Sequence, residues 1–244
     1  MILVLDDPAA LARAAADELL GGARAAAAAG RVFSVALSGG TTPRALFALL
    51  ADPAGPYRAA LPWDALSVFW GDERCVPPDD PESNYRAAFQ GLLSRVPVPP
   101  GRVHRIPADL PDPEDAARRY EATLRAELGP SASLDLVFLG IGPEGHTASL
   151  FPGSPALHEA KRLTAAVTVK AKTPRRVTLT YPALAAAKRV IFLAEGPGKA
   201  DIVRRVLEAP PGEDRPASLV RSAAGDPLWL LDRAAAAGLS GRRA

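Results

Sequence analysis

The chain has 244 residues, of which 48% are hydrophobic and 23% charged, as in ordinary globular proteins. Its formal net charge of +2 and its scattered basic residues exclude a dense patch for nucleic acid or membrane. A single cysteine excludes an internal disulfide and any multi-cysteine metal site. Neither a signal peptide nor an apolar run long enough to span a bilayer is recognisable. We therefore expect a cytoplasmic protein that binds neither nucleic acid nor membrane.

Apolar runs of strand length alternate with segments of helical period along the chain. A helix is predicted from about Pro8 through the alanine tract 23–29, and strands are predicted at 32–37, 66–70, 134–140, 189–194 and in PLWLLD. Further helices are predicted at TPRALFALL, at ADIVRRVLEA and in the alanine-rich segment after PLWLLD. Continuously apolar strands indicate burial on both faces. The pattern predicts one α/β domain over residues 1–244, with a doubly wound, mostly parallel sheet and helices on both faces.

The first candidate site is the turn SGGTTP at 38–43, between a predicted strand and a predicted helix. Gly39 and Gly40 allow the backbone to approach a ligand, and Thr41 or Thr42 is expected to cap the helix. Unsatisfied amides at a helix start favour an anion, phosphate above all. The spacing matches neither a Walker loop nor a dinucleotide-binding motif. A well-capped turn without a ligand is the alternative interpretation.

The second candidate site follows the 66–70 strand, where Asp72, Glu73 and Arg74 precede an SNY segment that contains Asn84. Two carboxylates could hold a polyol, and arginine pairs bidentately with phosphate oxygens. A solvated charged loop is the alternative. Cys75 could be an activated thiol, but no histidine is adjacent, so a structural role is preferred.

The third candidate site is the most specific: GIGPEGHTASLFP at 140–152, directly after a predicted buried strand. His146 sits in this glycine-rich loop beside Gly145, with Glu144 two residues before it. Histidine titrates near neutrality and is the usual general base for activating water. His104 and His158 lie outside any such loop and are interpreted as structural. No second histidine stands at ligand spacing, so neither a zinc site nor any other metal is expected.

A cationic segment at 170–176 precedes the strand-like VTLTYPAL, and another lysine follows at position 199. Ligands of open α/β sheets bind at the carboxyl ends of the strands, so these cations could face the same crevice as the three turns. A solvated surface is the alternative. Sequence alone does not choose among the five candidates, which are Lys170, Lys172, Arg175, Arg176 and Lys199.

The chain resembles the 6-phosphogluconolactonase family, within the larger group that contains glucosamine-6-phosphate deaminase. Five segments over most of residues 31–207 carry the resemblance: SGGTTP, WGDERCVPPDDPESNY, LDLVFLGIGPEGHTASLFPG, RVTLTYPAL and VIFLAEGPGKADIVRRVL. The resemblance implies a single Rossmann-like domain that needs no metal or nucleotide cofactor. It also implies hydrolysis of 6-phospho-D-glucono-1,5-lactone to 6-phosphogluconate in the oxidative pentose phosphate pathway. A phosphorylated sugar lactone would be the small-molecule partner, and we expect a monomer or homodimer.

The resemblance also assigns roles to individual residues. His146 matches the family's catalytic histidine, whereas Glu144 replaces the aspartate of the usual GPDGH loop. The SGGTTP turn and Arg74 match substrate and phosphate contacts, with Lys172 or Arg176 as helpers. The predicted catalytic residues are therefore His146 and Glu144, and the predicted substrate-binding residues are Gly39, Gly40, Thr41, Thr42, Asp72, Arg74, Asn84, Gly145, Lys172 and Arg176.

Two other functions share this fold type. A glucosamine-6-phosphate deaminase or related sugar-phosphate isomerase would carry DEY and HIAFNEP where this chain has DER and HTASLFP. A sugar-phosphate-sensing domain of a transcription regulator would need a DNA-binding module, and residues 1–30 supply only a strand and one long helix.

Overall fold

The computed structural model describes residues 1–240, which form two β-sheets and seven α-helices. The strands are β1 (Ile2–Leu5), β2 (Phe33–Leu37), β3 (Leu66–Trp70), β4 (Asp72–Arg74), β5 (Leu136–Leu139), β6 (Thr164–Thr168), β7 (Arg175–Leu179), β8 (Val190–Ala194) and β9 (Leu228–Asp232). The helices are α1 (Pro8–Ala28), α2 (Thr42–Ala51), α3 (Pro56–Ala60), α4 (Asn84–Gly91), α5 (Pro113–Leu128), α6 (Tyr181–Ala186) and α7 (Ala200–Glu208).

The larger sheet consists of six parallel strands in the order β1-β9-β8-β5-β2-β3. Every residue of β2, β3, β5, β8 and β9 is buried. Successive residues of a strand face opposite sides, so burial of all of them means that both faces of the sheet are covered. The predicted doubly wound α/β architecture is confirmed, and the five predicted strands β2, β3, β5, β8 and β9 lie within one or two residues of their observed bounds. The strand predicted at VTLTYPAL ends at Leu179, because Tyr181–Ala186 forms α6.

The strand order reverses between β2 and β5. After β2 the chain adds β3 on one side, and it later adds β5, β8 and β9 in succession on the other. Connections that leave in opposite directions open a crevice at the carboxyl ends of the two strands, where doubly wound folds bind ligands. The SGGTTP turn follows β2, and the loop that contains His146 follows β5. The topology thus brings two of the three candidate sites together.

The smaller sheet was not predicted. It has three antiparallel strands in the order β4-β7-β6, with Asp72 opposite Thr178 and Arg74 opposite Arg176. Residues 72–74 form a strand and not the solvated loop of the alternative interpretation, and the expectation that Arg175 and Arg176 precede the strand is wrong. A three-residue strand of charged side chains has no apolar pattern to reveal it. Its register places Arg74 and Arg176 side by side.

Helix α1 forms as predicted. Asp7 caps it by accepting a hydrogen bond from the Ala10 backbone N–H, and Pro8 occupies its first turn. The predicted alanine-rich helix after β9 is wrong, because residues 233–238 form turns. Only four alanines precede Gly238, too few to offset the cost of starting a helix. Within residues 1–240, α1 and the other helices all lack the combination of length and apolarity needed to cross a bilayer.

Candidate active site

A cavity of about 220 Å³ opens at the carboxyl ends of β2 and β5 and beside β4 and β7. It brings together seven of the residues predicted from sequence: Gly39, Gly40, Asp72, Arg74, Asn84, His146 and Arg176. Lys199, one of the five candidate cations, also lines it. Seven further lining residues were not singled out from sequence: Ser38, Gly140, Ile141, Gly142, Pro143, Thr147 and Ala148. All seven lie inside the two glycine-rich motifs, so membership in those motifs was the sequence signal that could have identified them.

The His146 side chain packs tightly against its own loop. A β-carbon at Gly142 would lie 1.9 Å from His146 Cε1, so any larger residue would displace the imidazole. Gly145 takes a positive φ of 81° and donates a backbone hydrogen bond to the Gly142 carbonyl. The imidazole also stacks on Phe151, with 3.8 Å between ring centroids. The two glycines and Phe151 therefore fix the position of the ring.

Three further hydrogen bonds stabilise the loop, one within it and two to other segments of the chain. Thr147 Oγ1 donates to the Gly140 carbonyl at 2.8 Å, and Lys199 Nζ donates to the Ile141 carbonyl at 2.8 Å. The Ala217 backbone N–H donates to the Gly145 carbonyl. The loop is consequently tied to Lys199 and Ala217 before any ligand arrives, as a preorganised catalytic group requires.

Glu144 determines which nitrogen of His146 is basic. Its Oε2 lies 2.9 Å from His146 Nδ1, and the His146 side chain is only 20% exposed. With Nδ1–H donating to the carboxylate, Nε2 is left to accept a proton. Burial lowers the pKa of His146, and the hydrogen bond and charge of Glu144 only partly reverse this. His146 is therefore neutral, and competent as a base, at neutral pH.

This electrostatic balance predicts the effect of Glu144→Gln on pH dependence. The amide keeps a hydrogen-bond acceptor but removes the charge that raises the pKa of His146. The acid limb of kcat/KM, expected below the ordinary histidine pKa of about 6.5, should shift to lower pH in the variant. Glu127→Gln is the control, because Glu127 lies 3.7 Å from His104, which is outside the cavity. An unchanged acid limb in Glu144→Gln would mean that the carboxylate does not influence the catalytic base.

Asp72 is a buried carboxylate held in place by two side chains. Ser149 Oγ donates to Asp72 Oδ2 at 2.6 Å, and Asn84 Nδ2 donates to Asp72 Oδ1 at 3.0 Å. Gly39 is required beside them, because a β-carbon there would lie 1.9 Å from Asn84 Oδ1. Ser149 is fully buried, so it positions Asp72 and is not an exposed nucleophile.

Glu73 has a structural role. Its buried carboxylate accepts hydrogen bonds from the backbone N–H groups of Arg74, Asn84 and Tyr85 and from Ser83 Oγ. These bonds cap the start of α4 and fix the neighbouring Asn84. The idea that Asp72 and Glu73 both bind substrate fails for Glu73, which does not line the cavity. Burial also raises the pKa of the Cys75 thiol, which argues against an activated thiolate.

Three cations line the cavity. Arg74 donates from Nη1 to the Glu82 carbonyl at 2.5 Å, while its buried Nε has no partner within residues 1–240. Arg176 donates from Nε to the Thr173 carbonyl at 3.1 Å and lies over the Phe151 ring. Lys199 is the third. Arg74, Arg176 and Lys199 therefore give the cavity a positive wall that suits an anionic substrate.

The remaining predicted residues lie at the margin. Lys172 is 81% exposed and pairs with Glu82 at 3.0 Å, away from the cavity lining. Thr41 occupies the N-cap position of α2 without a capping hydrogen bond from its side chain, and Thr42 is buried in the first turn. Gly145 shapes the loop without lining the cavity, and Glu144 reaches it only through His146.

Comparison with known proteins gives a consistent family match. Residues 6–229 match the family described as glucosamine-6-phosphate isomerases/6-phosphogluconolactonase. A human protein named 6-phosphogluconolactonase is 44% identical over 84% of this chain and 80% of its own. One from Synechocystis sp. is 41% identical over 83% of this chain and 82% of its own. The solved structure of 6-phosphogluconolactonase from Trypanosoma cruzi superposes with a TM-score of 0.83 at 30% identity, covering 98% of this chain and 96% of its own.

Proposed function

The chain belongs to the family of glucosamine-6-phosphate isomerases and 6-phosphogluconolactonases, and from this we propose that it hydrolyses 6-phospho-D-glucono-1,5-lactone to 6-phosphogluconate, with His146 as general base. This is a step of the oxidative pentose phosphate pathway. One observation carries the proposal: a neutral, anchored histidine shares a cavity with three cations. The relatives named 6-phosphogluconolactonase favour the lactone over the substrates of a deaminase or a sugar-phosphate sensor.

His146 Nε2 takes a proton from a water molecule as the water oxygen bonds to the lactone carbonyl carbon. The resulting tetrahedral intermediate collapses by breaking the bond to the ring oxygen, and the proton on His146 passes to that oxygen as it leaves. Glu144 stabilises the imidazolium between these two steps. The reaction consumes one lactone and one water and yields one hydroxy acid, and His146 ends in its starting state. No other reactant is needed, so the chain's own residues suffice for the chemistry.

The 6-phosphate is bound away from the reacting carbonyl. Arg74 supplies a guanidinium group, and Gly39 and Gly40 supply backbone N–H groups that make no hydrogen bond within residues 1–240. These two amides precede the first turn of α2, where the helix dipole favours negative charge. Binding of the phosphate positions the lactone against His146 and so contributes to rate as well as affinity.

The direct test is a pH-stat assay of freshly prepared 6-phosphogluconolactone, with spontaneous hydrolysis measured in parallel. Base uptake above the spontaneous rate, proportional to enzyme concentration, would support the proposal. Activity towards glucosamine 6-phosphate, with no acceleration of lactone opening, would overturn it in favour of the deaminase.

Activity is also expected to survive exhaustive treatment with EDTA. No group of three or more His, Cys, Asp or Glu side chains within residues 1–240 is arranged to hold a metal ion. The measurement compares lactone hydrolysis before and after chelation and gel filtration. Loss of activity that added zinc or manganese restores would contradict the metal-free mechanism.

Three further expectations stay predictions. They are a cytoplasmic location, a monomer or homodimer, and a single domain over residues 1–244. The last is supported by one hydrophobic cluster that contains residues of both sheets, among them Val137 of β5 and Val177 of β7.

A further inference from the structure

A second concave site lies between α2 and α4, outside the candidate active site. We name it the arginine groove; it has a volume of about 400 Å³, and its lining includes Arg44, Phe47, Pro81, Arg86, Gln90 and Arg95. None of its lining residues lines the active-site cavity. We propose that the arginine groove binds a small organic anion that carries at least two phosphate groups.

The lining of the arginine groove carries three positive charges. Arg44 lies in α2, Arg86 in the first turn of α4, and Arg95 just after α4. Within residues 1–240, none of the three guanidinium groups forms an ion pair or a hydrogen bond, and no Asp or Glu is among the lining residues. Like charges gathered on a concave wall repel one another and focus a positive potential. A bound anion would relieve that repulsion.

The shape and chemistry of the groove indicate the class of anion. Guanidinium groups pair bidentately with phosphate oxygens. One phosphomonoester carries a charge of about −1.5 to −2 at neutral pH, less than three arginines can neutralise. A volume of about 400 Å³ is that of a small-molecule pocket. Phe47, Ala48 and Pro81 add apolar wall for a carbon skeleton. A bisphosphorylated small molecule satisfies all three features.

The test is calorimetric titration with inorganic pyrophosphate as the probe. Arg44→Ala/Arg86→Ala should raise the dissociation constant of one pyrophosphate site about tenfold or more. Its matched control is Arg13→Ala/Arg205→Ala, which removes two exposed helical arginines outside the groove and the same net charge. Arg74→Ala separates the groove from the active site. Circular dichroism of each variant verifies the fold.

The proposal is supported if the groove variant loses this site while the control pair and Arg74→Ala retain it. Unchanged binding in the groove variant would overturn it. Equal weakening in the control pair would also overturn it, since net charge alone would then explain binding. If only Arg74→Ala lost pyrophosphate binding, the site would lie in the active-site cavity and not in the groove, which would also overturn the proposal. The measurement does not depend on lactone hydrolysis.

Discussion

His146→Gln is expected to lower kcat for 6-phosphogluconolactone by about 10²–10⁴-fold, the range for loss of a general base. Glutamine keeps polarity and approximate size, but it cannot accept and return a proton near neutral pH. Because the loop is held by backbone and Thr147 hydrogen bonds, the variant should remain folded. The measurement is steady-state kinetics together with thermal unfolding of both proteins.

Two comparisons make this result specific to His146. His158→Gln, which alters an exposed histidine outside the cavity, should retain wild-type turnover. His146→Ala should regain part of its activity when imidazole is added, because an external base can replace the missing one. A folded His146→Gln protein with near-wild-type turnover would contradict the proposed mechanism.

The main sheet and the central motifs could be predicted because their signals are local. Runs such as LVFL in β5 and VIFLA in β8 are continuously apolar, and burial on both faces favours that composition. His146 is identifiable because its glycines lie within four residues of it in the sequence. Gly142 and Gly145 allow the loop to turn and the imidazole to pack, and both are visible in the motif itself.

The features that sequence could not resolve depend on contacts between distant segments. Ser149 supports Asp72 across 77 residues, and no spacing rule links them. Arg176 lines the cavity because β7 pairs with β4 in a register that sets it opposite Arg74. Lys172, four residues earlier, instead pairs with Glu82. From sequence both were simply cations before a strand, so only the register of the smaller sheet could separate them.

Arg74→Ala is expected to reduce kcat/KM for the phosphorylated lactone about ten- to hundredfold. The loss of one charge-assisted phosphate contact costs roughly 1.5–3 kcal/mol, which corresponds to that factor. Much of the effect should appear as a higher KM, and part in kcat because the phosphate also positions the lactone. Unphosphorylated gluconolactone should be affected far less, since it has no group for Arg74 to bind. Steady-state kinetics with both lactones is the measurement.

Arg74 also donates to the Glu82 carbonyl, so a purely structural role has to be distinguished from phosphate binding. A structural role would impair both lactones equally, because it would disturb the shared cavity. Arg175→Ala is the matched control: it removes an exposed cation of β7 that does not line the cavity and should alter neither lactone's kinetics. Inhibition by 6-phosphogluconate should weaken in Arg74→Ala but not in Arg175→Ala. Equal sensitivity of the two lactones in a folded Arg74→Ala protein would remove Arg74 from the phosphate site, leaving Arg176, Lys199 and the amides of the SGGTTP turn to hold the anion.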